Sequence, residues 1–189
     1  MLTWIKKQLP SSGLTAFITH QDCLLHNVGE GHPECPERLA VIQDFLLAKG
    51  YLDLMPPYSA PEVTEEQLLR AHTAHYLAEI RDHAPMEGYL QVDPDTRMNP
   101  YSLTAARHAA GAAVLGVDLV LKGAAQRAFC AVRPPGHHAT RDEAMGFCFF
   151  NNVAVAARHA LDVRGLERVA VIDFDVHHGN GTEDIVAGD

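Results

Sequence analysis

The chain has 189 residues, of which 47% are hydrophobic and 21% are charged, a composition typical of a globular protein with a substantial core. Its 15 basic and 24 acidic residues give a formal net charge of −9, which argues against a broad nucleic-acid-binding surface. The opening stretch MLTWIKKQLPSSG is a poor signal peptide, and we find no apolar run that approaches a membrane span. We therefore expect a cytoplasmic protein that binds neither nucleic acid nor membranes.

The first half of the chain predicts short elements separated by turns. Thr15–Thr19 is a β-prone run and predicts the first strand. Residues 36–49 carry an apolar stripe and predict a helix, whereas the proline-rich residues 55–61 predict a loop. Thr64 begins a capping box that opens a short helix, and residues 75–82 predict a further helical piece.

The middle of the chain predicts one long helix and a buried strand. Residues 93–100 are polar and contain two prolines, which indicates a surface loop. An alanine-rich helix follows over residues 101–122, in which Gly111 and Gly116 allow close packing. Residues 129–132 then predict a short buried strand.

The last third predicts a loop, a helix and a strand. Residues 133–150 predict an irregular loop, and an asparagine, Asn151 or Asn152, caps a helix that we expect to end near residue 161. Residues 168–173 predict a strongly apolar strand. This alternation of strands and helices predicts an α/β fold, a parallel sheet covered by helices on both faces. Because no linker or repeat divides the chain, we expect a single domain over residues 1–189.

Cysteine and histidine usage limits the metal chemistry. The four cysteines form no C-x-x-C pair, which argues against a structural zinc knuckle, and we expect Cys130 and Cys148 in the core. The spacings His20-x-x-Cys23 and His32-x-x-Cys35 arise readily by chance. Twelve histidines are many for this length. Two of them lie inside predicted helices and are expected at the surface: His108 and His159.

One group of polar residues follows the strand at residues 129–132. The segment RPPGHHA places His137 and His138 side by side on a loop, and catalytic groups of open α/β sheets gather at the carboxyl ends of strands. Two adjacent histidines at such a position can handle protons during catalysis. Taken alone, the dipeptide would be an ordinary piece of loop.

A second group ends the strand at residues 168–173. Because side chains alternate along an extended chain, Asp173, Asp175 and His177 should point to one side, with Phe174 and Val176 opposite. Asp175 and His177 offer one oxygen and one nitrogen ligand, a plausible start of a zinc site. A salt-bridge network is the alternative, since acids in an apolar strand must be paired or bound to metal.

Three motifs in this order, RPPGHHA, GFCFFNN and DFDVHHGNGT, resemble the zinc-dependent histone deacetylases and their bacterial relatives, the acetylpolyamine amidohydrolases and acetoin-utilisation proteins. The earlier HPECPERL, residues 32–39, resembles the family's loop near the substrate entrance. The similarity extends over about residues 20–189, and Asn180 before Gly-Thr is similar to the class II branch. The resemblance implies an arginase–deacetylase-like fold, of which this chain would be the first half.

The resemblance also implies roles for individual residues. Asp175 and His177 would be two of three protein ligands to a catalytic zinc, or Fe²⁺. His138 would be the general base and acid, and His137 an electrostatic helper. The partners that orient His137 and His138 would be, respectively, Asp173 and Asn180.

Other implied roles concern the substrate and a second ion. Phe147 would line one wall of the acyl-lysine channel, with Gly146 beside it. Asp95 would be the rim acid that holds the substrate backbone, although Asp93 lies only two residues away. Backbone carbonyls around residues 173–177 would suit a structural K⁺.

Several parts of the family's site are missing from the sequence. The third metal ligand, an aspartate, and the oxyanion-stabilising tyrosine or histidine are expected downstream of the HHG motif, and the sequence ends at Asp189. Asp184 and Asp189 lie in a predicted helical turn and at its end, and we expect neither to replace the missing ligand. We therefore expect the chain alone to be inactive or to need a partner.

Three functions remain open at this point. The leading interpretation is a metal-dependent amide hydrolase acting on acetylated lysine or acetylated polyamines. The alternative is a catalytically incomplete half-domain that acts only in assembly, and a homo-oligomer would be compatible with the sequence. A third interpretation is an arginase-like manganese enzyme, although that pattern would want extra aspartates around two metal ions.

Overall fold

The computed structural model describes residues 14–188 of the chain. The amino-terminal stretch that we expect to be a poor signal peptide, and Asp189, lie outside the described residues. In chain order the strands are β1 Thr15–Thr19, β2 Pro57–Ser59, β3 Leu90–Gln91, β4 Arg97–Met98 and β5 Arg127–Cys130. The α-helices are α1 Glu37–Ala48, α2 Glu65–Leu68, α3 Ala74–Asp82, α4 Ser102–Leu121, α5 Asn152–Arg158 and α6 Asn180–Val186. The remaining elements are 3₁₀ turns at Gln21–Leu24 and Leu52–Leu54 and a π-helical turn at His159–Val163.

A parallel sheet with helices on both faces organises the described residues. Its strand order is β2–β1–β5, and Phe17 in the central strand lies opposite Phe129 and Pro57. Alternation along β1 sends Ala16 and Ile18 to one cluster and Phe17 to another. The first cluster contains residues of α4, and the second contains Leu39 of α1. The predicted α/β architecture is confirmed for this half of the sheet.

Helix α4 packs closely because of its glycines. A Cβ atom built at Gly111 would lie 1.9 Å from the carbonyl oxygen of Pro61, and one at Gly116 would lie 3.1 Å from Ala128 Cβ. In the described part of the chain, α4 is the single helix long and apolar enough to cross a membrane. The expectation that no apolar run approaches the length of a membrane span is therefore wrong for this helix. Because 56% of the most apolar stretch of α4 is buried inside the protein, α4 resembles a core helix.

Local signals predicted most of the helices well. The capping box of α2 is present, with Thr64 Oγ1 accepting from Gln67 N at 3.2 Å and Gln67 Oε1 accepting from Thr64 N at 2.9 Å. Asn151 caps α5 by accepting from Ala154 N at 3.1 Å. The chain beyond Arg158 continues as a π-helical turn to Val163, two residues past the predicted end.

Two predicted loops contain strands. Residues 57–59 within the proline-rich stretch form β2, because β1 offers them a parallel partner. Residues 97–98 form β4, which pairs with β3, and the neighbouring Thr96 and Asn99 are buried. In both places the tertiary partner prevails over the turn-forming composition.

Two histidines that were expected at the surface are buried. His108 on α4 donates from Nδ1 to the carbonyl oxygen of Ala60 at 2.8 Å, and His159 Nε2 lies 2.8 Å from Asp118 Oδ1. Each histidine lies on a helix face that other elements cover. Each has a polar partner there, so at least one ring nitrogen of each buried imidazole forms a hydrogen bond.

The strand expected at residues 168–173 is not formed. The apolar side chains of this segment and its continuation face solvent, with Ile172 86% exposed, Phe174 97% and Val176 93%. No described strand pairs with the segment. Apolar composition encodes a preference for burial, but burial needs a neighbour, and none of the described residues provides one.

Candidate active site

The two histidine loops, residues 133–138 and residues 173–180, lie against each other, as the family resemblance implies. His137 Nδ1 donates to Asp173 Oδ2 at 2.8 Å, and His138 Nδ1 lies 2.7 Å from Asn180 Oδ1. The amide nitrogen of Asn180 points instead to Met145 Sδ at 3.3 Å, so the Nδ1–H of His138 is the donor in its bond to Asn180. Both rings therefore keep Nε2 available, and their centroids lie 4.1 Å apart.

Glycines let the two loops approach each other. A Cβ atom at Gly181 would lie 2.2 Å from the carbonyl oxygen of Ala139, and one at Gly179 would lie 2.6 Å from Asp173 Oδ2. At this crossing Thr182 N donates to the carbonyl oxygen of His137 at 3.1 Å. Side chains at either glycine would force the Asp173 and Asn180 partners away from the histidines.

Asp175 and His177 present an oxygen and a nitrogen donor at one place. Asp175 Oδ1 accepts from the backbone nitrogen of His177 at 2.8 Å and lies 2.9 Å from its Nδ1. Two donors about 2.0 Å from a tetrahedral zinc lie roughly 3.3 Å apart, so this pair could occupy two corners of such a site once Nδ1 gives up its proton and the two atoms separate slightly. Both side chains are exposed, at 48% and 72%.

Hydrogen bonds keep the carboxylates of this segment ionised. The bond from the His137 ring holds the pKa of Asp173 below its ordinary value. The backbone and ring of His177 do the same to the pKa of Asp175. Ionised carboxylates suit both orientation of an imidazole and coordination of a cation.

Gly146 and Phe147 lie beside the tandem histidines. Gly146 has φ +55°, and a Cβ atom there would lie 2.4 Å from His138 Cδ2. Phe147 also has a positive φ, 69°, and its backbone nitrogen donates to Thr96 Oγ1 at 2.9 Å. The ring of His32 meets Phe147 edge-on at 4.7 Å. Phe147 is thus held in an uncommon backbone conformation next to the histidines.

The two acids of the 93–95 turn have different tasks. Asp93 Oδ1 accepts from the backbone nitrogens of Asp95 at 2.8 Å and Thr96 at 2.6 Å. Although burial raises it, these bonds hold the pKa of Asp93 below its ordinary value. The carboxylate of Asp95 accepts only from Thr96 Oγ1, at 3.2 Å, among the bonds described for it. Asp93 shapes the turn, and Asp95 retains acceptor capacity for another group.

Some neighbours of the site were not found from the sequence. They are Met145, which receives the Asn180 amide, Thr96, which holds Phe147, and the ring of His32. His32 Nδ1 accepts from Glu34 N at 3.1 Å, and its Nε2–H donates to the carbonyl oxygen of Asp95 at 3.4 Å. The HPECPERL stretch was the available signal for His32, whereas Met145 and Thr96 look ordinary in the sequence.

A second cluster of donors lies on another part of the described chain, at His20, Asp22 and His108. Their donor atoms lie within 4.8 Å of one another. The two imidazoles, however, stack at 3.5 Å with a 10° angle between their planes. Imidazole lone pairs lie in the ring plane, so stacked rings do not converge on one ion without rearrangement. Cys23 does not join His20, since its Sγ faces the carbonyl oxygen of Ala105 at 4.0 Å.

Asp184 is engaged away from the site. Asp184 lies on helix α6, and its Oδ2 accepts from the backbone nitrogen of Arg141 at 2.9 Å. The described residues thus bring together the tandem histidines, their two partners and two metal-ligand candidates. Among the described residues, no third carboxylate or imidazole forms a three-donor cluster with Asp175 and His177, although the ring of His138 lies 6.0 Å from that of His177.

Comparisons with known proteins show what the chain is similar to. A family model described as the histone deacetylase domain matches residues 32–189. The chain is 40% identical over 188 residues to a histone deacetylase-like amidohydrolase of Pseudomonas aeruginosa, covering 90% of this chain and 49% of that protein. It is 40% identical over 184 residues to the polyamine deacetylase HDAC10 of Rattus norvegicus, covering 93% of this chain and 31% of that protein.

A solved structure shares the fold. The crystal structure of the HDA15 HD domain superimposes with a TM-score of 0.85 at 38% identity, covering 92% of this chain and 50% of that chain. The chain therefore spans about half the length of the HDA15 HD domain and of the P. aeruginosa relative. With its family model matched over most of its length, the chain belongs to the histone deacetylase family.

Proposed function

We propose that this chain supplies the tandem-histidine half of a metal-dependent amide hydrolase that removes acetyl groups from lysine side chains or acetylated polyamines. The observation that carries the proposal is the pair of oriented histidines, each donating Nδ1–H to a side-chain partner and each keeping Nε2 free. Such a pair can take a proton from an attacking water and return it to a leaving amine. Relatives named as a polyamine deacetylase and an amidohydrolase support the same class of reaction.

Asp175 and His177 would hold the metal, for which zinc fits the oxygen and nitrogen donors and Fe²⁺ remains an alternative. When bound, the metal would polarise the acyl carbonyl and lower the pKa of a water molecule. A catalytic zinc normally has three protein ligands, and Asp175 and His177 would supply two of them. A structural K⁺ near residues 173–177 stays a prediction.

The partners of the histidines divide their roles. The carboxylate of Asp173 stabilises positive charge on the His137 ring, which suits an electrostatic helper. Asn180 is uncharged, so His138 is the residue that accepts the proton at Nε2 and later returns it. Phe147 and Gly146 would form the channel wall, and the free acceptor capacity of Asp95 would hold the substrate backbone.

The test is metal content and turnover of the 189-residue chain, alone and co-expressed with the carboxyl-terminal half of the P. aeruginosa amidohydrolase, on a fluorogenic acetyl-lysine peptide and on an acetylated polyamine. His138→Ala should lower turnover by about 10²- to 10⁴-fold without loss of zinc. Asp175→Ala should lower both. His178→Ala is the matched control, because this exposed neighbour pairs with Glu183, and it should change neither. Equal loss in all three variants would contradict the assigned roles, and two bound manganese ions would favour the arginase-like alternative.

A second candidate is a half-domain that functions only in assembly. It is favoured by the solvent-facing side chains of Ile172, Phe174 and Val176, which flank the ligand candidates. Apolar exposure of this kind next to an incomplete metal site suits a surface that another polypeptide covers. Absence of zinc and turnover in the isolated chain, with both restored by co-expressed carboxyl-terminal half of the P. aeruginosa amidohydrolase, would support this candidate over the first.

A further inference from the structure

Arg133 is a fully buried cation at the start of the tandem-histidine loop. Its side chain has no exposed surface, and it forms a two-pronged ion pair with Glu34. Nε donates to Glu34 Oε1 at 3.0 Å, and Nη2 donates to Oε2. The remaining nitrogen, Nη1, donates to the carbonyl oxygens of Cys23, at 2.8 Å, and His26. The guanidinium of Arg133 and the carboxylate of Glu34 are therefore fixed in relative orientation as well as in separation.

Glu34 has two further neighbours. Arg38 Nη2 donates to its Oε1 at 3.0 Å, and His26 Nε2 lies 3.6 Å from its Oε2. The His26 ring is 1% exposed and its Nδ1 lies 2.7 Å from Ser102 Oγ. Burial lowers the pKa of His26 to about 4, and Glu34 only partly opposes that change. At neutral pH the charge of Glu34 is therefore shared between Arg133 and Arg38.

The pair connects the two loops that border the candidate site. Glu34 lies two residues after His32, which contacts Phe147 and the backbone of Asp95. Arg133 lies four residues before His137. Between them, the rest of the histidine loop is held by Asn152 Nδ2 donating to the carbonyl oxygen of Pro134 at 3.3 Å. The ion pair is thus the anchor at which the entrance loop and the histidine loop meet.

Stability alone is a poor reason for such a pair. Desolvating two charges is expensive, and apolar residues of similar volume often replace a buried ion pair without loss of stability. A two-pronged pair differs from apolar contact in fixing an orientation. We propose that Glu34 and Arg133 are positioning residues, which set the tandem histidines relative to the Phe147 and Asp95 rim. This inference rests on the proposed function.

Two variants test whether the ion pair acts by fixing an orientation or only by filling space. Glu34→Gln keeps the shape but removes the charge, and it leaves Arg133 buried without its counter-ion. The double variant Glu34→Leu with Arg133→Met replaces the pair by apolar side chains of similar size. Glu62→Gln is the control, since Glu62 forms an ion pair with Arg107 at 3.1 Å, has half of its side chain exposed, and shares no described hydrogen bond with the histidine loop.

The decisive measurement is ¹⁵N NMR of the imidazoles of His137 and His138 in the full chain at neutral pH. The unaltered chain and Glu62→Gln should show the Nδ1–H tautomer at both rings. Glu34→Gln and the double variant should lose that preference, even where the double variant keeps its melting temperature within a few degrees. Where turnover is measurable, kcat should fall at least tenfold with KM little changed.

The outcomes distinguish the positioning role of Glu34 and Arg133 from the proposed function. Tautomers unchanged in the folded double variant would overturn the positioning role, and so would failure of that variant to fold, since the pair would then be structural. Absence of turnover in the unaltered chain would count against the proposed function, while the NMR comparison would still decide the role of Glu34 and Arg133.

Discussion

At the scale of single residues, His72 shows how burial and fixed partners favour the neutral form of an imidazole. His72 is 2% exposed, its Nδ1 lies 2.9 Å from the carbonyl oxygen of Thr140, and its Nε2 accepts from Asn151 N at 3.0 Å. The first bond needs a proton on Nδ1, and the second needs a lone pair on Nε2. Desolvation by burial lowers the pKa of His72 to about 4. Since Asn151 caps α5, His72 helps to orient the start of that helix.

This arrangement predicts acid sensitivity. Between the unfolded pKa of about 6.5 and the folded value of about 4, the unfolded chain binds a proton that folded His72 does not, so stability falls as pH falls through this window. The difference in pKa corresponds to roughly 3 kcal/mol for His72. Urea unfolding from pH 7 to pH 4.5 should show a shallower loss for His72→Gln. The exposed His75→Gln is the control, and an identical slope in His72→Gln would refute the assignment.

A different prediction concerns the tandem histidines. Asn180→Asp would place a carboxylate behind His138, as Asp173 stands behind His137. If the uncharged partner divides the two roles, the pH–rate profile of this variant should shift. The comparison requires a chain with measurable turnover. A profile that coincides with that of the unaltered enzyme would mean that Asn180 only orients the ring.

At the scale of elements, helix α4 shows how glycine positions a helix against its neighbours. Gly111 lies against the backbone at Pro61, which is rigid, whereas Gly116 lies against the side chain of Ala128. Backbone atoms cannot move aside as a side chain can, so the two glycines are not equivalent. Because α4 covers the face of β1 that carries Ala16 and Ile18, its distance from the sheet sets the depth of that core.

Alanine substitutions should separate the two glycines. Gly111→Ala should lower the free energy of unfolding by about 1–3 kcal/mol, because the new methyl group overlaps the Pro61 carbonyl. Gly116→Ala should be nearly neutral, since the higher helix propensity of alanine, about 1 kcal/mol, offsets a small clash. Chemical denaturation of both variants measures the difference. Equal losses would show that the contact with Pro61 is not limiting.

At the scale of the whole molecule, the ligand-bearing segment lies at an uncovered edge of the described residues. The apolar side chains of residues 168–176 face solvent, although Asp173 between them is held by His137. A cleft of about 370 Å³ lies between this segment and the histidine loop, lined mainly by apolar atoms. The half-length match to the family therefore coincides with a face whose apolar residues contribute little to the core.

This asymmetry predicts unequal costs for two phenylalanines. Phe174→Ser should change the free energy of unfolding of the isolated chain by less than about 0.5 kcal/mol, because the ring is 97% exposed. Phe149→Ser should cost about 3–5 kcal/mol, because that ring is fully buried. Urea denaturation compares them, and sedimentation velocity should show Phe174→Ser to be less prone to self-association. A large cost at Phe174 would mean that another surface covers the segment.

Much of the candidate site could be predicted because its residues fall within a few short motifs, RPPGHHA, GFCFFNN and DFDVHHGNGT. The pairing of Asp173 with His137 and of Asn180 with His138 was implied by the family resemblance of these motifs, and the structure shows both contacts, across 36 and 42 residues. The contacts of Thr96 with Phe147 and of Glu34 with Arg133 could not be predicted in the same way. They join segments about 50 and 99 residues apart, and no local pattern encodes which distant backbone will be adjacent.

The sequence by itself determined the helix caps, the α/β alternation and the identity of the two histidine loops, because these depend on neighbours within a few residues. Only the tertiary structure decided that residues 57–59 pair as a strand, that His108 and His159 are buried, and that residues 168–173 remain unpaired. The physical reason is the same in all three. Strand pairing and burial are properties of what lies opposite a residue, and the composition of a segment records only its preference for such a partner.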